Sequence, residues 1–175
     1  MEELKLLKQR MENERPVEWS NFPDINLYKD QVVAYLKRQL IHLESEGQLT
    51  PAMISNYVKD KLLPKADGKK YSKKHLAVLT EICLLKQVLT VRDMGVLLQE
   101  DAQENNPESF YTNFTAILDK VLSETASKID ISAENEEILD LALEFAVESY
   151  CSKLACESLI ALIREKDMLS HPKKK

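Results

Sequence analysis

The chain has 175 residues, a formal net charge of −5 at neutral pH and a hydrophobic fraction of 44%. That is enough apolar material for a core, which excludes wholesale disorder, and no apolar run approaches the ~18–20 residues of a membrane span. Three glycines, several long apolar-periodic segments and few alternating β-branched runs predict a mainly α protein.

Residues 1–15 are charged, with Leu4, Leu6, Leu7 and Met11 spaced for a weak amphipathic helix. The opening MEELKLLKQR lacks the uninterrupted apolar stretch of a signal peptide, which predicts a cytoplasmic protein. Pro16 to Pro23 reads as irregular, with Trp19 and Phe22 anchoring it to the core. Residues 1–26 are therefore expected as an N-terminal arm. From about Leu27 a helix is predicted, with Val32, Val33, Leu36, Leu40 and Leu43 as its buried stripe, His42 on its surface and Gly47 as its stop.

Thr50 then caps a second helix, with Pro51 at the first helical position, where its missing N–H costs nothing. Met53, Ile54, Tyr57 and Val58 form the apolar face. Ala52, Ser55, Asn56 and Lys59 form a small, polar and basic stripe. Such a stripe suits a major groove, since Asn can pair with adenine and Lys with guanine or phosphate, although an ordinary solvated helix face has the same composition. Two helices joined by a short Gly-containing turn fit a helix-turn-helix.

Leu62, Leu63 and Pro64 end the second helix, and Asp67-Gly68 is the strongest hairpin signal in the chain. Lys65 before the turn and Lys69, Lys70 and Tyr71 after it would make a small basic ribbon. From Lys59 to His75 there are seven lysines against two aspartates, a net of +5, so the remainder of the chain carries −10. A patch of opposite sign to its surroundings localises attraction to phosphates, although a lysine cluster can also serve solubility alone. Ser72 caps a third helix with Leu76, Leu79, Ile82, Cys83 and Leu85 as core candidates. Lys73, Lys74 and His75 in its first turn oppose the helix dipole, which suggests a nearby anion.

Thr90 and Asp93 have capping-box spacing and open a fourth helix through Met94, Leu97 and Leu98. The acidic run Gln99 to Asn106 is the expected domain boundary. Asn106-Pro107 starts a fifth helix carrying Phe110, Phe114, Ile117, Leu118 and Val121. After a polar break from Ser127 to Asn135, a sixth helix runs from about Glu134 to Lys166, ~50 Å if unbroken. Its apolar residues nearly encircle it, too much for a helix with one wet side, so either the fifth helix and the neighbouring elements cover it or a second subunit does; a homodimer through the C-terminal helices is the expectation carried forward. Residues 27–100 and 107–168 are the two expected domains, with 169–175 as a tail.

Cys83, Cys151 and Cys156 lie within helical patterns and are expected as buried thiols. No His or second Cys stands at a zinc spacing, so no metal is expected. Without a Gly-rich phosphate loop, an HExxH or a nucleophile elbow, neither enzymatic activity nor a cofactor is expected.

The order helix, capped helix, Leu62-Leu63-Pro64, Lys70-Tyr71-Ser72, helix, Thr-capped helix resembles the MerR-type winged helix-turn-helix of bacterial regulators over Leu27 to Leu98. The stretches LYKDQV, LTPAMISNYVKDKLLP, KKYSKKHLAVL and LKQVLTVRDM more specifically resemble the bacterial domain-of-unknown-function family 1836. The first resemblance implies a mainly α fold: a winged helix-turn-helix with a small β-hairpin wing, followed by a C-terminal helical region. It implies a recognition helix over 50–61 in the major groove of double-stranded DNA and a lysine-rich wing over 62–71 on the phosphates. Ser55, Asn56, Tyr57 and Lys59 would face DNA, joined by Lys69, Lys70 and Tyr71. Lys65, Lys73 and Lys74 complete the candidate interface. Two departures from the MerR pattern matter: the Arg that commonly precedes its tyrosine pair is Ser55 here and the first tyrosine is Asn56, which weakens the phosphate grip, and the first helix is longer than usual, which alters how the motif docks. The expected function is transcriptional regulation, with the effector unspecified. The alternative is a protein-interaction adaptor on the same scaffold, its partner held by the C-terminal helices.

Overall fold

A computed structural model describes residues 2–38, 48–103 and 106–170. The expected end of the first long helix (Leu40, His42, Leu43), the turn at Gly47 and the tail at 171–175 lie outside the described residues. The elements run α1 (Glu2–Asn13), a 3-10 turn (Trp19–Asn21), β1 (Leu27–Tyr28), α2 (Lys29–Lys37) and α3 (Pro51–Lys59). They continue with β2 (Lys70–Tyr71), α4 (Lys73–Leu85), α5 (Val91–Gln103), α6 (Pro107–Ser127) and α7 (Asn135–Ser170). The protein is mainly helical, with one two-stranded sheet. Among the described residues no helix is long and apolar enough to cross a membrane.

The helix expected from Leu27 starts two residues later. Leu27 and Tyr28 instead pair antiparallel with Tyr71 and Lys70. The Tyr28 N–H donates to the Gln31 side chain at 2.9 Å, which satisfies one of the free amides at the start of α2. β2 therefore pairs mainly with a strand preceding α2, and the expected hairpin shrinks to one bridge between Asp67 and Lys70. Its turn is shifted by one residue. Reciprocal backbone bonds join Asp67 and Lys70, and the two central residues with positive φ are Gly68 (51°) and Lys69 (75°), not Asp67 and Gly68.

Thr50 accepts from the Met53 N–H at 3.2 Å, as its capping position requires. At its other end α3 closes in a Schellman motif. The Lys61 N–H donates to the Val58 carbonyl and the Leu62 N–H to the Tyr57 carbonyl, with Lys61 left-handed at φ 60°. Leu62 and Tyr57 are both buried, supplying the apolar contact that accompanies the motif. A lysine thus occupies a position that glycine fills most comfortably.

The core is continuous from Phe22 through α2, α3, α4 and α5 to Tyr111 of α6 and Ile160 of α7. At its centre an aromatic cluster packs Phe22 against Tyr111, 5.1 Å between ring centroids, with Trp19 and Tyr35 around them. The Tyr111 hydroxyl donates to the Val17 carbonyl at 2.7 Å. The segment read as an arm is accordingly packed. α1 lies on α6, Arg15 pairs with Asp119 at 2.6 Å, and Lys8 donates to the Ile129 carbonyl at 2.8 Å. α5 runs on through Gln103, five residues past the last apolar position read from sequence. α7 packs on α5, where Arg164 reaches Asp93 at 2.6 Å, and Lys128 pairs with Glu144 and Glu148.

Of the three thiols expected inside, only Cys83 is buried; Cys156 is half-covered and Cys151 is exposed. Burial raises the Cys83 thiol to about 11. Cys151 differs because the part of α7 that carries it is largely uncovered. Among the described residues no cluster of His, Cys, Asp and Glu could hold a metal.

The left-handed lysine supplies a test of the backbone account. An L-residue in that conformation costs about 1–2 kcal/mol, and glycine's extra unfolded-state freedom returns about 0.5–1 kcal/mol of the relief. Lys61→Gly is expected to stabilise the protein by roughly 0.5–1 kcal/mol in urea denaturation, whereas Lys61→Val should destabilise it.

Candidate nucleic-acid interface

On α3, Ala52, Asn56 and Lys59 are exposed and Ser55 is half-exposed, while Ile54 and Tyr57 face the core. The Ser55 hydroxyl is engaged. It donates to the Pro51 carbonyl at 3.1 Å and accepts from the Lys29 ammonium at 2.8 Å. Lys29, half-buried and brought alongside by β1 and the start of α2, thus shares this part of the α3 edge with the exposed Asn56. One residue earlier, Tyr28 is exposed, and the Lys70 ammonium lies over its ring, 5.3 Å from the centroid. Ser55, Lys29, Tyr28 and Lys70 thus form a continuous chain of contacts from the helix edge to the lysine-bearing turn.

Lys59, Lys65, Lys69 and Lys70 are exposed on α3 and the turn that follows it, with Lys61 among them. Lys73 and Lys74 belong elsewhere. Lys73 lies over the Trp19 ring at 5.1 Å, and Lys74 lines a crevice with Glu81, Asn106 and Phe110. Tyr57 and Tyr71, expected at the surface by resemblance, are 6% and 5% exposed and serve the core. Burial raises both phenols, with Cys83 adding to the shift at Tyr57. Sequence reasoning misses Tyr28 because it lies in a two-residue strand that the helical period absorbs, and Lys29, the first residue of α2, because its partner Ser55 is distant in the chain. The strand's signal would have been the Leu27-Tyr28 pair preceding a polar first turn.

His75 holds the turn to α4. The Ser72 N–H and hydroxyl lie 3.1 and 2.9 Å from Nδ1, and Nε2 lies 3.3 Å from the Lys65 carbonyl. These contacts suit one neutral tautomer, in which Nδ1 accepts and Nε2–H donates. The Tyr71 ring meets the imidazole edge-on at 5.4 Å. His75 is the third residue of α4, so the imidazole replaces the Glu or Gln of a capping box. Burial holds its pKa below 6.5; the Lys65 carbonyl opposes that shift, and Lys74 adds to it.

This is a mainly helical protein whose exposed basic edge is built where a short sheet meets a capped helix. The chain belongs to the family described as Domain of unknown function (DUF1836), which matches residues 17–114, from the aromatic anchor to the first third of α6. No curated protein and no solved structure matches the chain.

The His75 geometry fixes a sign for pH dependence. Its folded pKa is depressed, so its contribution is complete above 6.5 and is lost as pH falls from 6.5 through the folded value. Across that window stability should fall by at most about 1.4 kcal/mol per pH unit. His75→Gln keeps an acceptor for the Ser72 N–H and removes the titration. Urea midpoints between pH 7.5 and 5.5 are expected to drop for the wild type and stay nearly level for the variant.

Proposed function

We propose that the protein is a DNA-binding transcriptional regulator of winged helix-turn-helix type, with α3 in the major groove and the lysine-bearing turn on the phosphate backbone. The observation that carries this reading is the contact chain Ser55–Lys29–Tyr28–Lys70, which joins an exposed, small-residue helix edge to a run of exposed lysines. Ala52 permits close approach, Asn56 offers a bidentate amide for adenine, and Lys29 and Lys59 flank it with positive charge. Lys61, Lys65, Lys69 and Lys70 supply the backbone grip, which carries no sequence information but sets register. The rest of the chain is acidic, which concentrates attraction for DNA at this edge. The working unit in this reading is a homodimer through the C-terminal helices, acting in the cytoplasm.

Fluorescence anisotropy with genomic fragments tests it. Binding should weaken with salt, log K falling by ~0.9 per tenfold rise in salt for each phosphate neutralised. Lys59→Glu, Lys69→Glu and Lys70→Glu together should reduce affinity at least ~100-fold at low salt. Asn56→Ala should cost about 1–3 kcal/mol on the preferred site and little on random DNA. Undiminished binding by the triple variant overturns the assignment.

A further inference from the structure

α7 is apolar on two opposed faces. One carries Leu141, Phe145, Cys156, Ile160 and Ile163, which are partly or fully covered. The other carries Leu139, Leu143, Ala146, Val147, Tyr150 and Leu154, all exposed; Leu159 and Leu162, nearer the C-terminal end, are exposed as well but lie outside this stripe. At 100° per residue the second set falls within one stripe about 100° wide, roughly 150° around the helix from the covered side. The four aliphatic residues other than Ala146 and the tyrosine are 53–69% exposed, so nothing among the described residues packs over them. No charged residue interrupts the stripe between Glu136 and Glu157, which end it on either side.

We infer that this stripe is the seat of a second copy of the same chain, packed antiparallel about a two-fold axis at the Ala146–Val147 peptide. Three observations select that occupant. First, the stripe reads the same in both directions: Leu139 and Leu154, Leu143 and Tyr150, and Ala146 and Val147 lie at equal sequence distances from that peptide. An antiparallel two-fold therefore sets Leu139 of one copy against Leu154 of the other, and Leu143 against Tyr150, with no register shift. Second, the area reaches the range of specific interfaces: full cover of the stripe removes on the order of 600 Å² per copy, about 1,200 Å² for two, the low end of that range.

Third, charge chooses the direction. Glu136, Glu137, Asp140 and Glu144 all precede the axis, while the residues beyond it as far as Glu157 hold Glu148, Lys153 and Glu157 as charged groups. Parallel pairing in register would lay those four carboxylates beside four more. Antiparallel pairing lays them along residues 149–157, which carry no net charge, sets Asp140 level with Lys153 against one like-charged level at the stripe ends, Glu136 with Glu157, and also opposes the two helix dipoles. The inference rests on the homodimer part of the proposed function and not on DNA binding.

Sedimentation of the full-length chain at micromolar concentration should give twice the monomer mass. Leu143→Glu with Tyr150→Glu should halve it, with helical circular dichroism unchanged because both side chains are exposed in the single chain. Direction is read by cross-linking with a short bismaleimide in a Cys151→Ser, Cys156→Ser background. A mixture of Leu139→Cys and Leu154→Cys chains should couple to each other, while Leu139→Cys alone should not couple to itself. A monomeric wild type, or a dimer that survives the double glutamate variant, overturns the interface. Self-coupling of Leu139→Cys overturns the antiparallel arrangement while leaving a homodimer in place. DNA binding by a monomeric wild type would separate the failure of this interface from that of the basic edge.

Discussion

The placement of the basic turn depends on two residues of backbone pairing. Leu27 faces Tyr71 and Tyr28 faces Lys70, and through that ladder the segment after α3 is tied to the start of α2. A two-residue sheet is too short to stand alone, and its stability comes from what lies on its faces. Leu27 and Tyr71 are buried, and the Tyr71 ring meets His75, which in turn binds the Lys65 carbonyl. On the other face Tyr28 is exposed beneath Lys70. The sheet thus has a dry side that fixes the turn and a wet side that presents charge.

The same division explains which parts of the candidate interface were legible in the amino-acid sequence. The helical period put Tyr57 with Met53, Ile54 and Val58 on the apolar face, and Tyr57 is indeed inside. The resemblance to winged regulators put it on the surface, because it assigned a role by position and not by face. Periodicity was the better guide there since burial is decided by the stripe a residue belongs to. The caps at Thr50, Thr90 and Asn106 were equally legible, because each needs only a polar side chain placed two or three residues before a free amide.

What could not be read locally was pairing across the chain. Strand β1 has two residues, too few for any alternation to register, and it exists only because β2 lies beside it. Lys29 next to Ser55, Lys73 over Trp19 and Tyr111 at the aromatic centre are all contacts between distant segments. Lys73 and Lys74 illustrate the cost of counting charge along the sequence. They are neighbours of Lys70 in the chain, yet the helix that starts at Lys73 turns them toward the N-terminal segment and α6.

α7 shows the opposite case, where composition was informative and packing decides its meaning. A helix apolar nearly all round must be covered on more than one side, and the described residues cover only one. The two apolar faces therefore make different demands. The face toward Ile160 is fixed by intramolecular packing and by the Arg164–Asp93 pair, in which the Thr90 hydroxyl first, and then the guanidinium, hold the Asp93 carboxyl below its usual range. Asp93 stands in the first turn of α5, so the same carboxylate holds the Thr90 hydroxyl that caps that helix and anchors the far end of α7. Contacts therefore run from the covered face of α7 through this ion pair into α5, and from α5 into α4, whose first turn holds the lysine-bearing segment through His75.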